Sequence, residues 1–407
     1  MLKRICAGLL LCLFLCSGAM AQGMEIRLTA EKSEVLSDGA LRALTTWLAD
    51  AYLNVQLQQD AQVIALHHGD RLLLSATANP QAAAIASGET TAKVPPMTAD
   101  IAQIPAQVTA AAENLGRLLM DYEKSAKATA ELGGAVKVKT QLSYALTAEE
   151  WAAVWPQVCD ILGESLRGIS IESKGTLRRY FDQDGKEIGA YFYAEKVRIA
   201  ENDVREVRLE YGLSGSGLYL AFRCPNKNET RNVRISITAK RTERSDRISY
   251  SLTGDVRVKR RDAQDTVTVE ASLKDVQGTV SGKVTANLSQ RRDGKTRKYA
   301  LEIKPEITAL TGSVAYAVDA GGQRVLEGKI LLEETADKPV SLPAVNADKT
   351  QVSLRLTKLL YDTLLDLPDS ERLELLYYLN RPLYLTGDQK EISIMYDPEF
   401  TVTEVPE

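Results

Sequence analysis

His67 and His68 are the chain's only histidines, and they stand side by side. Neighbouring residues on a strand point to opposite faces, so the two imidazoles are badly placed to share a metal ion. The pair is expected at a solvated hairpin end, and without a third histidine there is little material for a histidine-based triad. Of five cysteines, Cys6, Cys12 and Cys16 lie near the N-terminus. Cys159 and Cys224 remain, enough for one disulfide or two separate thiols and too few for a cysteine-rich zinc site.

Asp182-Gln183-Asp184-Gly185 has the alternate carboxylates and turn glycine that open a calcium loop, but it lacks the later bidentate acid. Asp-Gly between alternating runs is the ordinary signal of a two-residue hairpin, and that reading is adopted. The 54 acidic residues leave room for a carboxylate pair at hydrolytic separation, which no sequence spacing reveals. No catalytic residue, cofactor or metal ligand is therefore assigned, and a carboxylate-based hydrolase ranks third among the functions considered.

Basic residues carry more information. Residues 227–304 hold 19 Lys and Arg against 10 Asp and Glu, inside a chain of net charge -4. In an up-and-down meander alternate turns lie at one end. The turn at Lys259, Arg260 and Arg261 and the turn at Arg291, Arg292, Lys295, Arg297 and Lys298 are thus expected on one rim, with a Lys274-Asp275 turn opposite. Such a rim can meet a membrane surface or an anionic envelope polymer. The same charges also keep long strands soluble and their edges unpaired. Apolar content of 44% and charged content of 26% are globular values, and the global charge argues against a nucleic-acid partner.

The elements that must position these residues are mostly strands. Val280, Val284, Ala286 and Leu288 share one parity, the chain turns at Asp293-Gly294, and Tyr299, Leu301 and Ile303 repeat that parity. This is a hairpin with one dry face. Asp184-Gly185 and Gly321-Gly322 mark further hairpin turns, and Leu252-Thr253-Gly254, Val280-Ser281-Gly282 and Leu310-Thr311-Gly312 form an internal echo whose strand glycines suit bends. Before this stretch, a strand near Glu25–Thr29 precedes a helix capped at Ser37 or Asp38. Three strands follow around Leu53–Leu57, Val63–Leu66 and Leu72–Ala76, then a long surface loop over 78–104. A helix is expected from Pro105 to a stop at Gly133-Gly134, and another after the Thr147–Glu150 capping box, with Trp151, Val154, Trp155, Val158 and Leu162 on its apolar side. The C-terminal region reads as a short strand, a helical hairpin broken at Pro368 and a loose tail over the last ten or so residues.

Lys3-Arg4, the apolar run Ile5–Cys16 and Ala19-Met20-Ala21 form a secretory signal. The run is shorter than the ~20 residues of a spanning helix, and bulky Leu15 disfavours lipoprotein anchoring through Cys16. The expected address is extracellular, periplasmic or otherwise within the cell envelope. The expected segments are a signal peptide (1–21), an N-terminal α/β segment (22–166), a β-rich antiparallel meander (167–333), and a C-terminal helical hairpin and tail (334–407), with 22–407 able to form one continuous fold.

Long antiparallel hairpins in series, amphipathic helices before and after them, and an export signal together resemble the bacterial envelope lipid carriers of the LolA/LppX-like kind, over about residues 24–380. The resemblance implies a curved sheet closing over helices and holding acyl chains between them. The expected fold is α+β, a long curved antiparallel β meander packed against amphipathic helices. The leading functional expectation is an exported non-enzymatic binding protein for a lipid-like or other apolar ligand, with Val284, Leu288, Tyr299 and Leu301 facing it. A structural or adhesive module of the cell envelope, its core filled by its own side chains, is the alternative.

Overall fold

The computed structural model describes residues 23–58, 61–78, 83–87, 90–94, 104–163, 166–201, 203–225, 232–308, 311–335, 351–354, 363–364, 367–380 and 400–403. The fold is mostly β, an antiparallel meander with a few helices, and belongs to the α+β class. Strand β1 (Gly23–Leu28) leads to helix α1 (Asp38–Asp50) and strands β2 (Ala51–Gln58), β3 (Ala61–His68), β4 (Arg71–Ala78), β5 (Ala83–Ser87) and β6 (Thr90–Val94). Helix α2 (Ile104–Leu118) and a 3-10 turn (Met120–Tyr122) precede β7 (Glu123–Leu132), β8 (Val136–Leu146), helix α3 (Ala148–Leu162) and β9 (Ser170–Ile171). The long strands then run as β10 (Gly175–Phe181), β11 (Glu187–Ala200), β12 (Asp203–Ser214), β13 (Gly217–Pro225), β14 (Asn232–Arg244) and β15 (Arg247–Lys259). They continue as β16 (Ala263–Val276), β17 (Thr279–Arg292), β18 (Lys295–Thr308), β19 (Thr311–Ala320) and β20 (Gln323–Thr335). Strand β21 (Gln351–Leu354), helix α4 (Asp369–Asn380) and β22 (Phe400–Thr403) complete the described elements.

Two compact units are present, one drawing on residues up to 99 with 305–319 and 323–407, the other on 100–304 with 320–322. In the first, β20, β1, β2, β3, β4, β5 and β6 pair antiparallel in that order. Ser37 caps α1 by accepting from the Ala40 N–H and donates to Glu374. Ala43 of α1 packs with Leu364, Leu367 and Leu375, and the Trp47 indole donates to Thr363 at 3.0 Å. In β2 the polar residues Asn54 and Gln56 are the buried ones, while Leu53 and Val55 keep partial exposure.

In the second unit the pairing order is β7, β8, β10, β11, β12, β13, β14, β15, β16, β17, all antiparallel. Strand β18 follows round the Asp293-Gly294 turn, where Asp293 and Gly294 both take positive φ. Thr147 and Glu150 cap α3 reciprocally, so its start is set locally. Leu115 and Leu118 of α2 and Trp151, Val154 and Val158 of α3 pack over Tyr144, Leu146, Ala194 and Val197 of the sheet. Trp151 meets Trp155 and Phe192 edge-on at 6.2 and 5.9 Å. Leu162 falls outside this core and is exposed, because α3 ends beyond its contact with the sheet.

Several expectations are corrected. The segment 78–104 is not a loop throughout, because β5 and β6 extend the ladder from β4 with Ser75 opposite Ala86. Small Ala and Thr side chains leave no period to read, so backbone pairing decides there. The second helix stops at Leu118, and residues 123–132, which have helix-favouring Ala, Lys and Glu, form β7 against β8. Tertiary pairing overrides local propensity. Gly133 and Gly134, at φ 56° and 70°, are therefore a hairpin turn and not a helix stop. The tail is partly ordered, since β22 pairs with β21. Apart from Thr363 and Leu364, the first helix of the expected C-terminal hairpin lies outside the described residues, as do the Leu310 of the echo and the signal peptide.

Candidate functional site

His67 and His68 do take opposite faces, but not at a solvated end. The His67 ring stacks on Tyr52 at 4.8 Å, whereas His68 is buried and stacks on Trp47 at 5.6 Å. Cys159 and Cys224 are separate, buried free thiols. Burial pushes the Cys224 thiol up, which disfavours the reactive thiolate. Asp182 accepts from the Asp184 and Lys186 N–H groups, closing the β10–β11 turn as a plain hairpin. Among the described residues no group of three His, Cys, Asp or Glu could hold a metal ion, and no helix is long and apolar enough to cross a membrane.

Strand register assembles what remains. Phe222 opposes Ile235, Ile235 opposes Val256, Val256 opposes Val267, and Val267 opposes Leu288, giving one apolar row across β13–β17. Parallel rows run from Leu220 to Ala286 and from Leu218 to Val284. This is the same face that α2 and α3 cover on β8, β10 and β11, and the covered cluster reaches as far as Val207 of β12. Beyond it, every side chain from Asn232 to Arg292 retains some exposure. Leu213 and Tyr250, on the same parity, are 51% and 40% exposed. At ~3.3 Å per residue and ~4.8 Å between strands the face measures roughly 20 by 20 Å. Apolar patches of that order mark interaction sites on soluble proteins.

Val284, Leu288, Tyr299 and Leu301 all lie half-buried on this dry parity. Its assignment on β18 follows from Glu302, which pairs with Lys283 at 2.6 Å and Lys304 at 2.7 Å on the other face. Those two ammonium groups, Lys283 first, hold the Glu302 carboxyl down to about 2. Alternation shows the dry strands in sequence, but not that β14–β16 contribute Ile235, Val256 and Val267 to one row with Leu288.

One end of the face carries the basic rim. The Asp293 N–H donates to the Asp262 carbonyl across the two turns at 3.4 Å, so they are adjacent. All eight rim cations, Lys259, Arg260, Arg261, Arg291, Arg292, Lys295, Arg297 and Lys298, are exposed. Arg292 pairs with Asp265 at 2.7 Å and holds its carboxyl below the usual range. The intervening turn does lie at the opposite end, but at Gln277-Gly278 with positive φ, and Lys274 and Asp275 belong to β16. Arg260, Arg292, Lys295 and Arg297 continue the dry parity, while Lys259, Arg291 and Lys298 fall on the polar one.

The strands' second face holds its own small core near β7. The tip of the β7–β8 hairpin, Leu132 to Val136, folds onto Gly212 and Tyr219, with Tyr180, Ile188 and Tyr191 beneath it. A Cβ on Gly212 would approach the Leu132 side-chain end to 2.7 Å, so Leu132 would have to shift to admit it. No family model, curated protein or solved structure matches the chain.

Proposed function

We propose that this protein is an exported, non-enzymatic binder of an apolar, lipid-like ligand, held on the dry face of β13–β17 in its second unit. The observation that carries the reading is the run from Asn232 to Arg292, whose apolar parity has no buried side chain. Leaving that much Val, Ile and Leu surface in water is unfavourable at ~25 cal/mol per Å², and a ligand chain would relieve it. Length also fits: the face runs roughly 20 Å along the strands, and one acyl chain spans about half of the ~30 Å bilayer core. The cationic end at Arg260, Arg292, Lys295 and Arg297 suits an acidic headgroup or an anionic membrane surface. The long meander and flanking helices resemble envelope lipid carriers, and the N-terminal Lys3-Arg4 and apolar run support export to the cell envelope or exterior.

Native mass spectrometry of gently purified protein should show retained apolar mass, and a fluorescent fatty acid should bind with saturable stoichiometry. Leu288→Glu and Leu301→Glu should each weaken that binding at least tenfold while circular dichroism stays unchanged, since both side chains are only half-buried. Folded protein that binds no alkyl probe and instead sediments as a dimer would assign the face to a second copy and overturn the carrier reading.

A further inference from the structure

The polar side of the same strands carries an unusual row. Arg208 opposes Arg223, Arg223 opposes Arg234, and Arg234 opposes Arg257, so four arginines stand in register on four neighbouring strands. All four are exposed. Directly opposed like charges are destabilising in a sheet, whereas several other arginines of this unit are paired with carboxylates. Arg179 binds Glu187, Arg198 binds Glu172 at 2.5 Å, and Arg205 binds Asp203 at 2.5 Å. In the row, Arg257 approaches Asp255 only to 3.9 Å and Arg208 lies over the Tyr191 ring at 5.4 Å. Neither Arg223 nor Arg234 has a carboxylate partner among the described residues. One row nearer the rim, Lys259 follows on β15 and Arg291 on β17, on the same face.

We propose that this ladder is a binding site for a linear phosphate polymer lying across the strands. Guanidinium forks match phosphate oxygens bidentately, and a row of four at ~4.8 Å spacing offers a line of donors ~14 Å long. An extended chain of phosphates answers every charge in the row at once; a lone phosphate answers one or two. The opposed arginines are held close by the backbone ladder, so the site is formed before the ligand arrives and the polymer removes a repulsion already present. The proposal is independent of the apolar ligand, which occupies the opposite face.

The test uses the full chain with long-chain inorganic polyphosphate as probe, beside orthophosphate and a single-stranded oligonucleotide. Polyphosphate should bind saturably, at least a hundredfold more tightly than orthophosphate, with log affinity falling against log salt at a slope of roughly -3, as for four single-strand-type contacts. The double variant Arg223→Gln/Arg234→Gln should lose at least tenfold in affinity and halve the slope. Lys174→Gln/Lys186→Gln, two exposed cations of the same unit outside both the row and the rim, should stay within twofold of the parent. Equal losses in the two variants would mean a diffuse basic field, and orthophosphate binding as tightly as polyphosphate would mean a single-phosphate site; either overturns the ladder. Tighter binding of the oligonucleotide than of polyphosphate would transfer the site to nucleic acid and overturn the polymer assignment.

Discussion

Arg179 shows how a single residue is constrained here. Its guanidinium binds Glu187 through both carboxylate oxygens, and the two side chains are only 14% and 7% exposed. Helix α2 crosses directly above, where Gly116 leaves space that any Cβ would take from Arg179. Glu187→Gln should then leave a buried charge without its counter-ion and lower stability by about 3 kcal/mol, read from urea denaturation. A loss under about 1 kcal/mol would place the pair effectively in solvent. This contact was not legible in the sequence. A register shift between Tyr180 and Phe181 brings Glu187 opposite Phe181 on the parity of Arg179, and bulges leave no regular sequence mark. The buried His68 was missed for a related reason, since its cover, Trp47, sits on a helix packed across the sheet.

At the scale of elements, the three echoed glycines separate. Gly282 and Gly312 adopt φ of 144° and 142°, and a Cβ at either would collide with a backbone carbonyl, of Ser272 and Glu306 respectively. Gly254 has no such constraint, its nearest neighbour to a Cβ being Val269 at 3.8 Å. Gly282→Ala should therefore cost at least about 2 kcal/mol, whereas Gly254→Ala should be neutral or stabilising by about 0.5 kcal/mol. Thermal melts of the two variants compare them directly, and equal effects would remove the distinction. The repeat was visible as letters; its backbone states were not. The opposite failure occurs in β7, where helix-favouring residues take strand geometry because β8 provides a complete set of backbone partners.

For the molecule as a whole, coverage of the sheet by helices is uneven, and this has a dynamic consequence. Strands β8, β10 and β11 lie under α2 and α3, while β14–β17 have no buried side chain. Amide protection tracks buried apolar contact as well as hydrogen bonding. Hydrogen exchange should be at least tenfold faster in β14–β17 than in β8, β10 and β11, and an alkyl ligand on the dry face should narrow the gap. Uniform protection along the second unit would show that those strands are stabilised from some other source.

By itself the sequence determined that the long strands are two-faced, that hairpins turn at Asp184-Gly185, Asp293-Gly294 and Gly321-Gly322, and where α1 and α3 are capped. These are local matters, set by alternation, by Asp-Gly and Gly-Gly pairs at positive φ, and by Ser37 and Thr147. Tertiary structure alone decided which part of the dry face the helices cover and which residues share a row. Arg208, Arg223, Arg234 and Arg257 follow no period along the chain, and only the lengths of the intervening strands and turns bring them into register. A period of two tells which face a residue takes; its neighbours on that face come from strands distant in sequence, where pairing and not local preference sets the position.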